Sequence, residues 1–318
     1  MHKRFVNHCT IDLSLIPDGP ILIKSGKEGA DPTKPDMEFV ETYHAGGRSI
    51  YLPGSSLKGA IRAHAERIVR TVGRDRRDVN NPSLLWANDP LNDKYEYLKG
   101  ESADIYRLSS FTDRMFGNTS IASRVRIEDA YPKKDKTLKI EERNGVAIDR
   151  VFGSVAVGPF NYQVCTAGEF QTKIHLKNFT LAQLGLIGLV LRDLNEGWFG
   201  LGFAKSRGLG TVTVKYNEAV VQYPGCEINK ETQKIRQIGQ QIEWERTSLL
   251  GAGEFLSDKE AEEYGFRKPD RQTTPKAVET MKLGFGLQLN WQGDGDTGVP
   301  NLFLCAVRAW SELLGVAA

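Results

Sequence analysis

Residues 52–77, LPGSSLKGAIRAHAERIVRTVGRDRR, decide how the rest of the chain is read. Pro53 and Gly54 make a turn in which a strand can end, and Ser55 or Ser56 is a good N-cap for a following helix. A helix start carries unpaired N–H groups and the positive end of the dipole, so an anion needs only one nearby cation to be held there. Lys58 supplies that cation. Helical spacing puts Leu57, Ile61, Ala65 and Ile68 on a buried stripe and Lys58, Arg62 and Arg70 on a basic one. Residues 48–77 hold eight Lys or Arg against two acids, in a chain whose formal net charge is +2. Positive charge is therefore concentrated here, although a solvated surface helix accounts for such a face equally well.

Composition bounds the remainder. The chain has 318 residues, 40% of them hydrophobic, enough to fill one large core or two modest ones. A pI near 8.2 does not by itself mark a nucleic-acid binder, so any such role must come from local patches. Cys9, Cys165, Cys226 and Cys305 lie far apart, with no C-x-x-C and no His at ligand spacing, which argues against structural zinc and suits a reducing compartment. The first residues lack the apolar core of a signal peptide and no apolar run approaches a bilayer span. The expectation is a soluble, cytoplasmic protein with no membrane partner.

Outward from the basic helix, residues 4–16 alternate as a first strand and 20–23 continue as a short apolar run. Residues 25–47 form a long polar loop rich in Gly, Pro and carboxylates, a natural place for chemistry, with Asp31 and Asp36 the residues to watch. His44, near its end, reads as a bystander. Residues 78–105 read as an insertion in which Trp86, Tyr95 and Tyr97 hold the loop down. A short helix with a Gly stop follows at 111–117, and residues 124–131 alternate as a strand with Arg124, Arg126 and Glu128 on one face. Residues 132–163 suit an extended projecting hairpin, 164–176 a strand, and Thr180 with Gln183 a capping box opening a helix that Gly197 stops. Four glycines then surround Lys205, Ser206 and Arg207 and let the backbone approach an anion. The loop lies between a helix and a strand, so neither the dinucleotide nor the P-loop fingerprint fits. Beyond 216, Ile235, Ile238 and Ile242 stand at helical spacing, the Asp294–Asp296 run reads as a turn, and Pro300 opens a final helix striped by Phe303, Val307, Trp310 and Leu314. The order of elements is α+β, close to a ferredoxin-like βαββαβ unit with a large insertion.

Four stretches, LPGSSLKGAIR (52–62), RIEDAYP (126–132), NGVAIDRVFGSV (144–155) and GLGFAKSRGLGTV (200–212), resemble in content and order the RAMP proteins of CRISPR systems. The likeness is to the backbone subunits of type III effector complexes and covers about two-thirds of the chain, residues 5–216. The insertion and the tail depart from the compact form.

The resemblance implies an RRM-like core over 1–216, a thumb hairpin at 132–163, the insertion at 78–105, and a C-terminal extension over 217–318. It implies a subunit that binds guide (CRISPR) RNA beside other RAMP subunits and the large subunit, and cleaves complementary target RNA with a divalent metal, Mg²⁺. Ser55, Ser56, Lys58 and Arg62 would hold guide phosphates, with Lys205 and Arg207 packing beside them. Val151 or Phe152 of the thumb would wedge between bases or pack at the thumb's base, and Arg150 beside them would bind RNA. An Asp in the loop before the PGSSLKG turn would be both metal ligand and catalyst. Asp36 fits best and Asp31 is the alternative. A non-catalytic scaffold of the same complex, or a guide-precursor processing RNase, are the other readings.

Overall fold

The computed structural model describes residues 4–26, 35–44, 46–78, 85–89 and 100–316. Asp31, Tyr95 and Tyr97 lie outside the described residues. Strand β1 (His8–Pro17) alternates buried Cys9, Ile11 and Leu13 with half-exposed Thr10 and Asp12, the period-two pattern that gives a sheet one dry and one wet face. A hairpin of β2 (Glu41–His44) and β3 (Gly47–Ile50) leads into helix α1 (Gly54–Val72). Short helices α2 (Ser102–Leu108) and α3 (Asp113–Phe116) precede β4 (Val125–Ile127) and β5 (Tyr131–Pro132). Then come a long antiparallel hairpin, β6 (Lys139–Ile148) with β7 (Val155–Ala167), and the strand β8 (Phe170–Lys177). Helix α4 (Leu181–Asn195) and β9 (Val212–Tyr223) follow.

In the main sheet β9, β1, β8 and β4 lie side by side in that order, all antiparallel, with α1 between β1 and β4 in sequence and α4 between β8 and β9. Ile11 sits between Ile174 of β8 and Ala219 of β9, all three buried. The dry face is covered by helices: α1 packs on β4 and α4, and α4 packs on β9.

The residues after 216 join this core. Strand β9 runs on to Tyr223, so the boundary expected at 216/217 falls inside a strand. Strand β16 (Leu287–Gln292) pairs with it from the other edge, and β15 (Glu279–Thr280) pairs with β16. Helix α6 (Val299–Leu314) lays Phe303 and Ala306 against Gly188 and Gly185 of α4. Between them, β10 (Cys226–Ile228), β11 (Ile235–Gln237) and β12 (Glu243–Trp244) form a meander; β13 (Ser248–Leu250) pairs with β14 (Arg271–Thr273), and α5 (Asp258–Tyr264) opens with a capping box at Ser257.

Four expectations are corrected. The isoleucines at 235, 238 and 242 are not one face of a helix: Ile235 is buried in β11, whereas Ile238 and Ile242 are exposed in the turns around it. The strand expected over 164–176 is two, broken at Gly168, where the chain leaves the hairpin and enters the sheet. Arg124 does not share a face with Arg126, because it precedes β4 and turns inward, 3% exposed. Helix α1 begins at Gly54 with Pro53 as its cap residue, so Ser55 and Ser56 lie in its first turn and neither is the cap. The capping box of α4, the Gly stops at 117 and 197, and the final helix agree with the sequence reading.

Candidate nucleic-acid interface

The first turn of α1 is pressed against β4. A Cβ on Gly54 would stand 2.3 Å from the Ile127 carbonyl oxygen, so only glycine lets the helix start this close to the strand. The Gly54 N–H is taken by Asp129 Oδ1 at 2.7 Å. The site therefore offers fewer free backbone donors than a bare helix start would. Ser55 is exposed and Lys58 is half-buried, its ammonium donating to Ser123 Oγ at 2.7 Å. Burial, and secondarily the charge of Arg62, lowers the Lys58 pKa from its ordinary value. No carboxylate pairs with Lys58 or Lys177 among the described residues.

These residues line one side of a cleft of about 550 Å³. The other side is built from the sheet: His8 of β1, Arg126 of β4, and His175 and Lys177 of β8. Arg124 is at its floor. Its Nη1 donates to the Asn178 carbonyl at 2.7 Å and its guanidinium lies 4.5 Å from the Tyr106 ring centre, while Nε and Nη2 are buried without a hydrogen-bond partner. Those two atoms are closed to solvent, so Arg124 adds positive charge beneath the cleft and no open donor to it. The His8 and His175 rings stack at 5.6 Å; burial lowers the His8 pKa, with further contributions from His175 and Arg126, against an opposing hydrogen bond to Gln222. His175 Nε2 lies 2.9 Å from Glu128 Oε1, and Arg126 pairs with the same carboxylate at 3.0 Å.

The other residues singled out from sequence fall in different places. Arg62 does not reach the cleft lining. Its guanidinium is held by Glu66 at 2.8 Å, by Asp113 at 2.9 Å and by the Gly117 carbonyl at 2.9 Å, all within the protein. Arg70 likewise turns to the Asn88 carbonyl. Ser56 is half-buried and is not part of the cleft lining.

Lys205 and Arg207 occupy a short 3-10 turn on a separate loop, both exposed, with Arg207 5.1 Å from the Phe203 ring centre. The loop is fixed by close backbone approach: Phe203 N–H donates to the Leu22 carbonyl at 2.7 Å, and a Cβ on Gly202, at φ +80°, would stand 2.2 Å from that same oxygen. Residues 20–24 in turn join the segment before α1, since Val40 N–H donates to Ile23 O and Tyr51 N–H to Val40 O. The glycine loop and the helix start are thus tied to one strip of backbone, though not to one cavity. His64 of α1 strengthens that tie: Nε2 lies 2.7 Å from Asp193 Oδ2 and the ring stacks on Phe199 at 4.3 Å.

Asp36 lies against the middle of the β6–β7 hairpin, where Asn161 pairs with Asn144. It is exposed, and its Oδ2 accepts the Asn161 N–H at 2.9 Å while Met37 N–H donates to the Asn161 carbonyl. The other oxygen, Oδ1, has no protein partner among the described residues. Among those residues no group of three or more His, Cys, Asp or Glu could hold a metal ion. A hard divalent cation that keeps most of its waters needs only one or two carboxylates, so one free oxygen of Asp36 is compatible with such an ion. The hairpin tip is ordered by Asp149, whose Oδ1 accepts from the N–H groups of Val151 and Phe152 at 2.8 Å. Val151 and Phe152 are 82% and 84% exposed, and Arg150 beside them is also exposed. At the rise of a strand the tip stands roughly 20–25 Å from Asn161.

Arg126, Lys177, His8, His175 and the inward-facing Arg124 were not chosen from sequence. The signal was present in FQTKIHLK, where alternation puts Lys173, His175 and Lys177 on one face, but their meeting with Arg126 depends on the register of β8 against β4. All four cysteines are buried and unpaired with one another. No helix among the described residues is long and apolar enough to cross a membrane.

The mixed α+β architecture with antiparallel sheets is compatible with the fold of one family, and the sequence matches the model of that family, the RAMP superfamily, over residues 17–213. The chain belongs to this CRISPR-associated superfamily. Membership suggests an RNA-binding subunit of a CRISPR complex. No protein of curated function matches the chain.

Proposed function

We propose that this chain is a backbone subunit of a type III CRISPR effector ribonucleoprotein, holding guide RNA and cleaving complementary target RNA. The observation that carries the RNA-binding part is the cleft between α1 and the sheet edge, where Lys58, Arg126 and Lys177 converge above the buried charge of Arg124. Phosphate is the anion that an RNA strand presents repeatedly, and a row of such cations positions a strand without reading its bases.

The core is RRM-like in this reading: four antiparallel strands in the order β9-β1-β8-β4 with two crossing helices form a βαββαβ unit. The β6–β7 hairpin is the thumb, with Val151 and Phe152 as the apolar tip that meets bases and Arg150 beside them for the backbone. Ser55 and Lys58 hold guide phosphate from the helix start, whereas Arg62 supports the site by fixing α1 and does not touch RNA. Lys205 and Arg207 contact the same strand from the glycine loop further along.

For cleavage, Asp36 is the residue of choice and Asp31 the alternative. A divalent ion, Mg²⁺, would supply alignment of the 2′-hydroxyl and stabilisation of charge on the scissile phosphate. Asp36 would offer Oδ1 to that ion, and the Asn161 N–H on Oδ2 would fix the carboxylate's orientation. The site lies beside Asn161, midway along the thumb and roughly 20–25 Å from its tip.

The test is purification of the chain with its partners. The account predicts a complex carrying a short RNA and cutting complementary RNA only with a divalent ion. A chain that cuts RNA alone and in chelator would favour the guide-precursor processing reading instead, and a complex that binds target without cutting would favour the structural one.

A further inference from the structure

A second cavity, of about 580 Å³, shares no lining residue with the cationic cleft. Its walls come from residues 85–86, from α2 and the turn after it, from the first turn of α4, from residues 265–271 and from the last turns of α6. None of the four motifs contributes to it. It is built where the inserted region meets the C-terminal residues, the two parts by which this chain departs from the compact form.

Its chemistry is of two kinds. Trp86, Tyr106 and Phe111, each under 9% exposed, bring aromatic edges to the wall, and half-exposed Phe266 brings a ring that stacks nearly parallel on Tyr106, 6° apart with ring centres 5.7 Å apart. Around them stand six basic side chains, among them Arg77, Arg114, Arg267 and Arg271, against two carboxylates, Asp270 and Glu312. Both carboxylates are already engaged: Asp270 accepts from the N–H groups of Leu181 and Gly253, each at 3.0 Å, and Glu312 accepts from Gln272 at 2.7 Å. Arg107 and Lys268 are paired with carboxylates outside the lining, Asp104 at 2.8 Å and Asp258 at 2.9 Å, whereas Arg77, Arg114 and Arg267 have no carboxylate partner among the described residues. Arg114 and Arg267 donate to carbonyl oxygens of Ser109 and Leu313, which orient a guanidinium without neutralising it. Arg271, 53% exposed, makes only a long ion pair with Glu254, at 3.7 Å, and keeps donors open to the cavity.

Each kind of ligand that uses only half of this lining leaves the other half unsatisfied. A neutral aromatic would leave the arginines without counter-charge, and a bare phosphate would leave the aromatic wall wet. The volume is within the range of small-molecule sites and too small for a folded partner or a duplex. We infer that this cavity binds a nucleoside phosphate, with the base on the aromatic wall and the phosphate on the arginines. The source is either a free nucleotide or the phosphorylated end of an RNA strand. This assignment stands apart from the reading of the first cleft, because the two share no residue.

The test uses the full chain and titration calorimetry with adenosine 5′-monophosphate, adenosine, and short single-stranded RNA carrying either a 5′-phosphate or a 5′-hydroxyl. The proteins compared are the wild type, Arg77→Ala, Arg271→Ala and Lys58→Glu. Binding of adenosine 5′-monophosphate that weakens roughly tenfold in both arginine variants, as removal of a charge-assisted hydrogen bond to phosphate implies, and persists in Lys58→Glu supports the free-nucleotide source. Preference for the 5′-phosphorylated strand, abolished in the same two variants, supports the strand-end source. The inference is overturned if adenosine binds as tightly as its monophosphate, or if neither phosphorylated probe responds to Arg77 or Arg271. Arg271 is more than half exposed, so its variant keeps the test decisive even if Arg77→Ala disturbs the fold.

Discussion

Arg62 Nη2 lies 2.9 Å from Oδ1 of Asp113, a carboxylate with no solvent exposure at all. The same guanidinium reaches Glu66 and the Gly117 carbonyl, and Asn88 donates to the other Asp113 oxygen. One side chain of α1 thus secures α3 and the 85–89 segment against the helix. Removing it strands a buried charge, which costs more than the pair contributes. Arg62→Ala is therefore expected to lower unfolding free energy by about 3 kcal/mol, the lower end of the range for a broken buried pair because Arg62 is about a third exposed. Chemical denaturation checks this. A variant as stable as the wild type, but deficient in RNA binding, would return Arg62 to the phosphate-holding role its motif implies.

Asp36 and Asn161 tie the polar loop to the middle of the β6–β7 hairpin. Asp36→Asn keeps an oxygen for that hydrogen bond and removes the charge a cation needs. Metal-dependent cleavage by the assembled complex should be abolished with RNA binding unchanged. Cleavage retained in Asp36→Asn and lost in Asp31→Asn would transfer the role to Asp31; cleavage retained in both would leave the subunit structural.

Asp270 is buried where residues 251–253 dock on the start of α4, and burial pushes its carboxyl up to about 7, against the two backbone N–H bonds that favour the anion. Its folded pKa is above the unfolded value, so the folded protein binds the extra proton. The contribution is full below pH 4 and is lost as pH rises through 7. Stability of the wild type relative to Asp270→Asn is expected to fall between pH 4 and pH 7 and to level off above. Thermal unfolding of both proteins across that window checks the sign, and a rising difference would contradict it.

The hairpin tip presents Val151 and Phe152 almost bare. Phe152→Ala should leave the unfolding midpoint within error, since the ring is almost fully solvated, and should weaken stacking on RNA by about 1–3 kcal/mol. Fluorescence titration with single-stranded RNA reads the second effect. Equal affinity would confine the tip to protein contacts.

How much of this the sequence disclosed follows from the range of the interactions. Helix α1 and helix α4 were legible because a capping box, a Gly stop and a 3.6-residue stripe are local signals. The β6–β7 hairpin was legible because Asp149 and Gly153 make a local turn, although its second strand runs four residues past the expected end. Ile235, Ile238 and Ile242 misled because three apolar residues imitate a helix stripe when the flanking turns are short. The cleft was only half visible. Lys58 and Arg126 each stand in a motif, but His8, Arg126 and Lys177 come from three strands and meet only through pairing register, which no local pattern encodes. The internal pairing of Arg62 was hidden for the same reason: its partner Asp113 is 51 residues away in sequence.

The central claim is that the cleft at the start of α1 holds an RNA backbone, and the salt dependence of RNA affinity tests it most directly. Lys58 and Lys177 have no carboxylate partner among the described residues, and Lys177 is exposed. For the double variant Lys58→Glu, Lys177→Glu, the account predicts weaker binding of single-stranded RNA and a log–log salt slope shallower by about 1.4, roughly 0.7 for each phosphate no longer neutralised. An affinity and a slope equal to those of the wild type would contradict it.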